Sequence, residues 1–597
     1  MRAKNLFFLF LSSGMFAQNF NYQRDWGTYF GATNTYFTGM YEDNSSNIFA
    51  EEIITYISPS SGNTPVSYYN QFVTPGEQTF IGNISNNFSG RFSPAGTLLQ
   101  AKYSDHYQTG TSRKTIDYRD ENGNIYGIEN QLTAYPTLPS GVWLSNNNET
   151  NDVILSKYDA NNNLLWKTYI PNTGENNNIE VDGNGNIYLT GNTKWQNLGD
   201  SGVFQQNFSV VYDTAGLILA NTYIVKLNSQ GQKIWATYTP SSLIGGMTVY
   251  GNNLYIFGNN DLKTTETGLS TPGTFQSAKG GQFIAKIDGN TGQRIWGTYY
   301  GTPGNTIEAG ISDIKADQTG VYVTGMTFGI VGDTYYATEG AYKPQTNDGI
   351  DMFITKFNND GNRSWSTYIG TDGYESYSGD KGLDVKDGKL LFTGTSSGSY
   401  NIATPGSYVD IKPNPNNQDA FFGILNATTG QPDFISYYGG AYSNPLESVD
   451  IRCSFSKYSD AFYLFGNTHR NNGFASANGN QTSIMYPPGI TLGISGFIAK
   501  FSPKFLSVSD VNSTENLTLY NNPNNGNFSL KGSVLDKESH IVSINDISGR
   551  LIYSKMIQKN KEEHFNLEDQ LENGNYLLTV KSEKGKLVKS FKLIIKK

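Results

Sequence analysis

Apolar and polar residues alternate in short runs along most of the chain, and the runs meet at glycine-bearing turns. FIAKID from Phe283 and QRIWGTYYG from Gln293 flank Asn290 to Gly292, and ISDIKAD from Ile311 and VYVTGMT from Val321 flank Gln318 to Gly320. Period-two alternation broken by such turns predicts β-hairpins, so this stretch reads as four short strands. Most of the remaining sequence is imperfect copies of it. WxTY recurs at Trp26, Trp166, Trp235, Trp296 and Trp365, with weakened copies QAKY at Gln100 and FISY at Phe434.

The tyrosines of these seven copies, Tyr29, Tyr103, Tyr169, Tyr238, Tyr299, Tyr368 and Tyr437, are 74, 66, 69, 61, 69 and 69 residues apart. A four-stranded propeller blade needs roughly 40 to 50 residues, so the excess is expected as loops. A second column agrees in register: strands ending at Gly191, Gly258, Gly325, Gly394 and Gly466. At the ends of the array, the WGTY at Trp26 has no FIAK-type strand before it, and the FIAK strand from Gly496 has no WxTY strand after it. Pairing the two completes one sheet from both ends and leaves no open edge. The expected fold is all-β: a seven-bladed β-propeller closed by N- and C-terminal strands, followed by a small C-terminal β-sandwich.

Units of this form, joined by TPGTF from Thr271, TPGSY from Thr404, TEGAY from Thr338 and DSGVF from Asp200, resemble the bacterial seven-bladed propeller (SBBP) repeat over roughly residues 22 to 505. The resemblance implies the fold and little about activity.

The rest of the chain divides into 1–17, 18–506, 507–516 and 517–597. Residues 1–17 carry Arg2 and Lys4, an apolar run from Leu6 to Leu11, and small residues up to Ala17. That is the pattern of a secretory signal cleaved between Ala17 and Gln18. No other stretch is apolar and long enough for a transmembrane helix. Residues 507–516 are polar and aperiodic, as in a linker. The chain carries 43 Lys+Arg against 52 Asp+Glu, but residues 517–597 hold 13 against 9. The body is therefore acidic, which argues against a nucleic-acid partner.

The last segment reads as short strands separated by NNPNNGN, SGR and ENGN turns, a pattern of a small sandwich. Its segments LYNNPNNGNF from Leu519, INDISGRLIYS from Ile544, LENGNYLLTV from Leu571 and KSFKLIIKK from Lys589 resemble the type A C-terminal sorting domain of the type IX (Por) secretion system of Bacteroidetes. The matching positions include Tyr520, Pro523, Gly526, Asp546, Gly549, Arg550, Gly574, Tyr576 and Lys592; Asn521 stands where the family usually has proline. The resemblance implies the type IX machinery as a partner and passage through the periplasm to the outer-membrane surface or the medium. Family members are commonly cleaved before this domain, then released or attached to lipopolysaccharide.

Residues that carry chemistry are sparse. The chain has four histidines, His106, His469, His540 and His564, and one cysteine, Cys453; no His-pair metal spacing, phosphate loop or dinucleotide glycine pattern is present. Cys453 lies in a strand-like run and is expected buried. GTSSG around Ser396 lacks the helix that a nucleophile elbow requires. The turns Asp182 to Asn186 and Asp120 to Asn124 lack the glycine and terminal glutamate of a calcium loop and serve as hairpin turns. Glu52 and Glu129 replace the column glycine in the first two units and are candidates for an acid and base pair, against drift of the repeat. Column aromatics are expected in the core; Trp143, Trp195 and Tyr374, in the inserts, are candidates for exposed contact. No cofactor and no metal are assigned. The sequence supports a secreted or surface scaffold that binds a glycan or protein through variable loops on a rigid frame. The alternative is a secreted hydrolase or lyase acting on polysaccharide through acidic residues of one face.

Overall fold

The computed structural model describes residues 20–54, 65–80, 86–104, 113–114, 118–130, 137–146, 153–171, 178–209, 220–240, 243–259, 268–304, 309–328, 331–347, 350–376, 381–415, 417–441, 448–504, 517–546, 551–583 and 587–597. The expected signal segment with Ala17 and Gln18, the linker, His106, Gly549 and Arg550 lie outside these residues. The chain divides into two units, Met1–Ser502 and Pro503–Lys597.

Strands form where the alternation predicts them, and their turns are stitched by the residues expected there. In the organising hairpin, Gly292 takes φ 72° while the Asp288 carboxylate accepts the Asn290 and Thr291 amides. The Asp182 carboxylate accepts Asn184 and Asn186 in the same manner, which satisfies it inside its own turn.

Among the described residues the larger unit holds seven antiparallel sheets. In chain order, sheet one is Thr35–Glu42, Ile48–Ile54, Asn86–Phe92 and Leu98–Ser104. Sheet two holds Tyr118–Arg119, Ile125–Asn130, Val153–Tyr158 and Leu164–Ile170, with Arg113–Lys114 beside Ile125–Asn130. Sheet three runs Asn178–Val181 to Lys233–Thr239, sheet four Leu243–Tyr250 to Arg294–Tyr300, and sheet five Ala309–Asp317 to Arg363–Ile369. Sheet six contains Leu383–Lys386, Lys389–Ser396, Asp419–Asn426 and Pro432–Tyr438. Sheet seven takes Val449–Phe455, Phe462–Thr468 and Ser495–Pro503 from one end of the unit and Tyr22–Phe30 from the other. The first strand is thus hydrogen-bonded to the last one, as the complementary ends of the repeat predict.

Each sheet packs on the next, and the repeat motif explains how. The indole N–H of Trp166 donates to Ser229 O, that of Trp235 to Gly289 O, that of Trp296 to Asn359 O, and that of Trp365 to Ala427 O. Trp26 donates to Pro94 O, joining sheet seven to sheet one. In every case the ring lies against a positive-φ glycine of the neighbouring hairpin: a Cβ on Gly292 would stand 2.9 Å from the Trp235 ring and one on Gly361 2.8 Å from Trp296. The FIAK lysine reaches the same turn, as Lys226 to Gly289 O and Lys356 to Ala427 O, while lying over a tyrosine of its own sheet. The WxTY tyrosines pin the joining loops; Tyr368 donates to Asp333 and accepts the Tyr336 amide.

The two weakened copies lack this latch. Between sheets one and two, where Gln100 replaces tryptophan, a buried Arg119–Glu51 ion pair bridges instead and Arg119 lies 4.5 Å over Phe49. Between sheets six and seven, Phe434 packs on Phe20 and Tyr22, and Lys389 donates to the Tyr22 hydroxyl.

The smaller unit has a three-stranded sheet (Leu517–Tyr520, Asn527–Gly532, Glu562–Asn566) and a four-stranded one (Leu551–Ile557, His540–Asp546, Gly574–Ser582, Leu587–Ile595). Both bury side chains in one core that includes Phe528, Leu530, Ile544, Leu578 and Leu593. Among the described residues no helix is long and apolar enough to cross a membrane.

Candidate functional site

Once the sheets are in register, a shared geometry appears on their first strands. Three residues before the column position in each sheet lies a strand residue, and its partner on the neighbouring first strand is Tyr41, Tyr118, Glu180, Thr248, Lys315, Asp384 or Ser454. Side chains at equivalent register share a face, so these seven form one layer. They differ in chemistry while the latches between sheets repeat. Of two cavities, of about 410 and about 360 Å³, the smaller is lined from all seven sheets and the larger from six of them together with Lys381; Tyr118, Glu180, Lys315 and Lys381 line both.

The carboxylates here divide by what they hold. Asp313 accepts the Leu383 amide of the next sheet, Asp384 accepts the Phe455 amide, and Glu42 accepts Ser456 Oγ and the Lys457 amide. These three fasten sheet to sheet. Among the described residues, the Glu180 carboxylate takes no hydrogen bond, and Glu180 lines both cavities. Burial raises its carboxyl above the usual range, against Lys315 and Lys381, whose charges lower it. Burial alone would lower the Lys315 pKa, but Asp313, Glu180 and Asp384 together raise it, so its ammonium stays charged. Its ion pair with Asp313 is long, 3.7 Å, against 2.6 Å for Lys343–Asp351. Burial, with Glu180 second, raises the Tyr118 phenol. Lys381 lies 5.1 Å over the Tyr41 ring, with its backbone in the left-handed region at φ 72°.

Register confirms that Glu52 and Glu129 occupy equivalent positions, opposite Phe88 and Ile154, but the two meet different surroundings. Glu129 accepts Ser156 Oγ at 2.9 Å and Lys167 Nζ at 2.7 Å within its own sheet. Glu52 is 1 % exposed, has no hydrogen-bond partner, and lies in the space left by Gly31 and Gly496 of sheet seven. They share no partner.

Other candidates are absorbed by the fold. Ser396 is buried and donates to Glu375 at 2.6 Å. Cys453 is buried beside Leu464. Trp143 and Trp195 are partly buried against the core of sheets two and three instead of standing free; Tyr374 is exposed. The residues of the central layer escape sequence inspection because their strands carry no repeated motif. Counting back from each column glycine across its hairpin would have found them.

In the smaller unit, Asn521 adopts φ 60°, and Asn522 both donates to Lys592 O and accepts the Ile594 amide, which ties the turn before Pro523 to the last strand. A Cβ on Gly526 would stand 2.5 Å from Glu568 Cα, so only glycine fits. Tyr576 pairs with Asp546 and donates to Glu572 O; Gly574 opens the same strand and Tyr520 is half exposed.

No curated protein matches the chain. Solved structures with some likeness include an ulvan lyase of a new polysaccharide lyase family (10 % identity, 77 % of this chain and 96 % of that one, TM-score 0.35). A lignostilbene dioxygenase of Pseudomonas brassicacearum is 10 % identical over 79 % and 98 %, with TM-score 0.33. A family 32 glycoside hydrolase of Bifidobacterium adolescentis is 10 % identical over 97 % and 95 %, with TM-score 0.21. Residues 518–596 match the family described as the secretion system C-terminal sorting domain. The smaller unit of this chain is therefore a C-terminal sorting domain of the type IX (Por) secretion system.

Proposed function

We propose that the larger unit is a seven-bladed β-propeller of the SBBP repeat type, closed by its terminal strands, and that it is a binding scaffold displayed outside a Bacteroidetes cell. Residues 1–17 would direct it to the periplasm as a signal peptide, and the sorting domain would then engage the type IX machinery for passage to the outer surface. The mature chain is either released or held on lipopolysaccharide.

The observation that carries the binding role is the central layer. The tryptophan and lysine columns repeat one latch between sheets, whereas the seven positions facing the cavities carry six residue types, varied as a recognition surface on a repeated frame should be. A hydrolase or lyase acting on polysaccharide is the second reading, favoured by Glu180, an unengaged carboxylate beside Tyr118 and Lys315. Arrays of glycans and proteins probed with the full chain, run beside assays of polysaccharide turnover, separate the two. Binding without product supports the scaffold, and measurable product replaces it with the enzyme.

A further inference from the structure

The charge of the central cavities departs from that of the chain. Their lining carries six cations, Arg119, Lys315, Lys381, Lys386, Arg452 and Lys457, against the four carboxylates Glu42, Glu180, Asp313 and Asp384. The chain as a whole is at −9. A local positive excess within low-dielectric walls concentrates anions, even where single cations have partners. The hydrogen-bonding capacity of the residues that line both cavities points the same way and adds detail. Lys315 offers an ammonium with only a long ion pair, Glu180 offers a carboxylate without a donor, and Tyr118 brings a phenol close to it. A group that accepts from lysine and also donates to a carboxylate carries both an anion and hydroxyls. The backbone of Lys381, held in a sparsely populated conformation at the cavity wall, is the kind of strain that collects at binding sites.

We infer that the central cavities bind an acidic saccharide, its carboxylate or sulfate meeting Lys315 and Lys381 and its hydroxyls meeting Glu180 and Tyr118. This rests on the reading of the chain as a binding scaffold and names the ligand class. An acidic peptide offers anions but few hydroxyls for Glu180, which would repel its carboxylates.

The test is calorimetric titration of the full chain with tetragalacturonate, maltotetraose and a heptaglutamate peptide, at low and at physiological salt. Tetragalacturonate should bind at least about tenfold tighter than either control and weaken as salt rises. Lys315→Gln should lower its affinity about tenfold, measured well below the unfolding midpoint of the variant. In the unaltered chain, bound tetragalacturonate should protect Lys315 and Lys381 from acylation read by mass spectrometry, a readout that does not depend on the variant folding. Equal binding of maltotetraose overturns the acidic class, and equal binding of heptaglutamate overturns the saccharide. Unprotected lysines together with an unaffected Lys315→Gln overturn the location. If tetragalacturonate fails while the arrays yield another ligand, this inference falls and the scaffold reading stands. Silent arrays remove both.

Discussion

Glu52 shows what one side chain costs when the repeat departs from glycine. Its carboxyl lies beside Gly31 and Gly496 at the seam of sheets seven and one, and burial, with Glu51 second, raises its pKa well above the usual carboxylate value. A carboxyl raised in the folded state favours folding most below its unfolded pKa, and that contribution is lost as pH rises through the folded value. Glu52→Met removes an unsatisfied buried group worth on the order of 1–3 kcal/mol. It should therefore raise the unfolding midpoint, with a gap to the parent that widens from pH 5 to pH 8; a gap that narrows or reverses contradicts this account. Glu375 behaves alike: burial lifts it to about 7 against donation from Ser396 and Thr371. Glu375→Gln should flatten the loss of stability seen by differential scanning calorimetry between pH 6 and pH 8. Neither environment was legible in the sequence, since the burial of Glu52 depends on Gly496, far away in the chain.

At the level of the strand and hairpin, the sequence was far more informative. The WxTY column was visible because its tryptophan serves a contact made five times, from Trp26 on Gly96 to Trp365 on Gly430. What could not be read was that these tryptophans meet the hairpin-turn glycines of the neighbouring sheets. Trp235→Ala, which removes a buried ring and leaves Gly289 O without its indole donor, should cost roughly 3–5 kcal/mol in chemical denaturation. The junction of sheets one and two is the converse case. Gln100 stands at the tryptophan position, Asn162 holds the glycine position at φ 68°, and a cavity of about 50 Å³ lies between them. Gln100→Trp combined with Asn162→Gly should stabilise the protein by on the order of 1–2 kcal/mol. A loss of stability would show that the Arg119–Glu51 pair leaves no room for an indole.

For the molecule as a whole, the two units were separable in the sequence by charge and pattern, and the sorting family was legible from four segments despite Asn521. The ligand was not, because recognition rests on unrepeated residues of first strands that converge only after folding. If the smaller unit is the export signal, a chain ending at Asn516 should accumulate in the periplasm, as followed by cell fractionation and immunoblotting; normal surface delivery of that chain contradicts it. The joint strand pair also has a consequence in time. Phe30 and Ser495, hydrogen-bonded in sheet seven, are 465 residues apart, and contacts of such separation form late and slowly. During synthesis, Tyr22–Phe30 emerges first yet lacks its hydrogen-bonding neighbour until almost the entire body has been made. Six sheets can assemble in turn beforehand, but the seventh acts as a completeness check: a prematurely terminated chain is left with an exposed strand edge that marks it for aggregation or proteolysis.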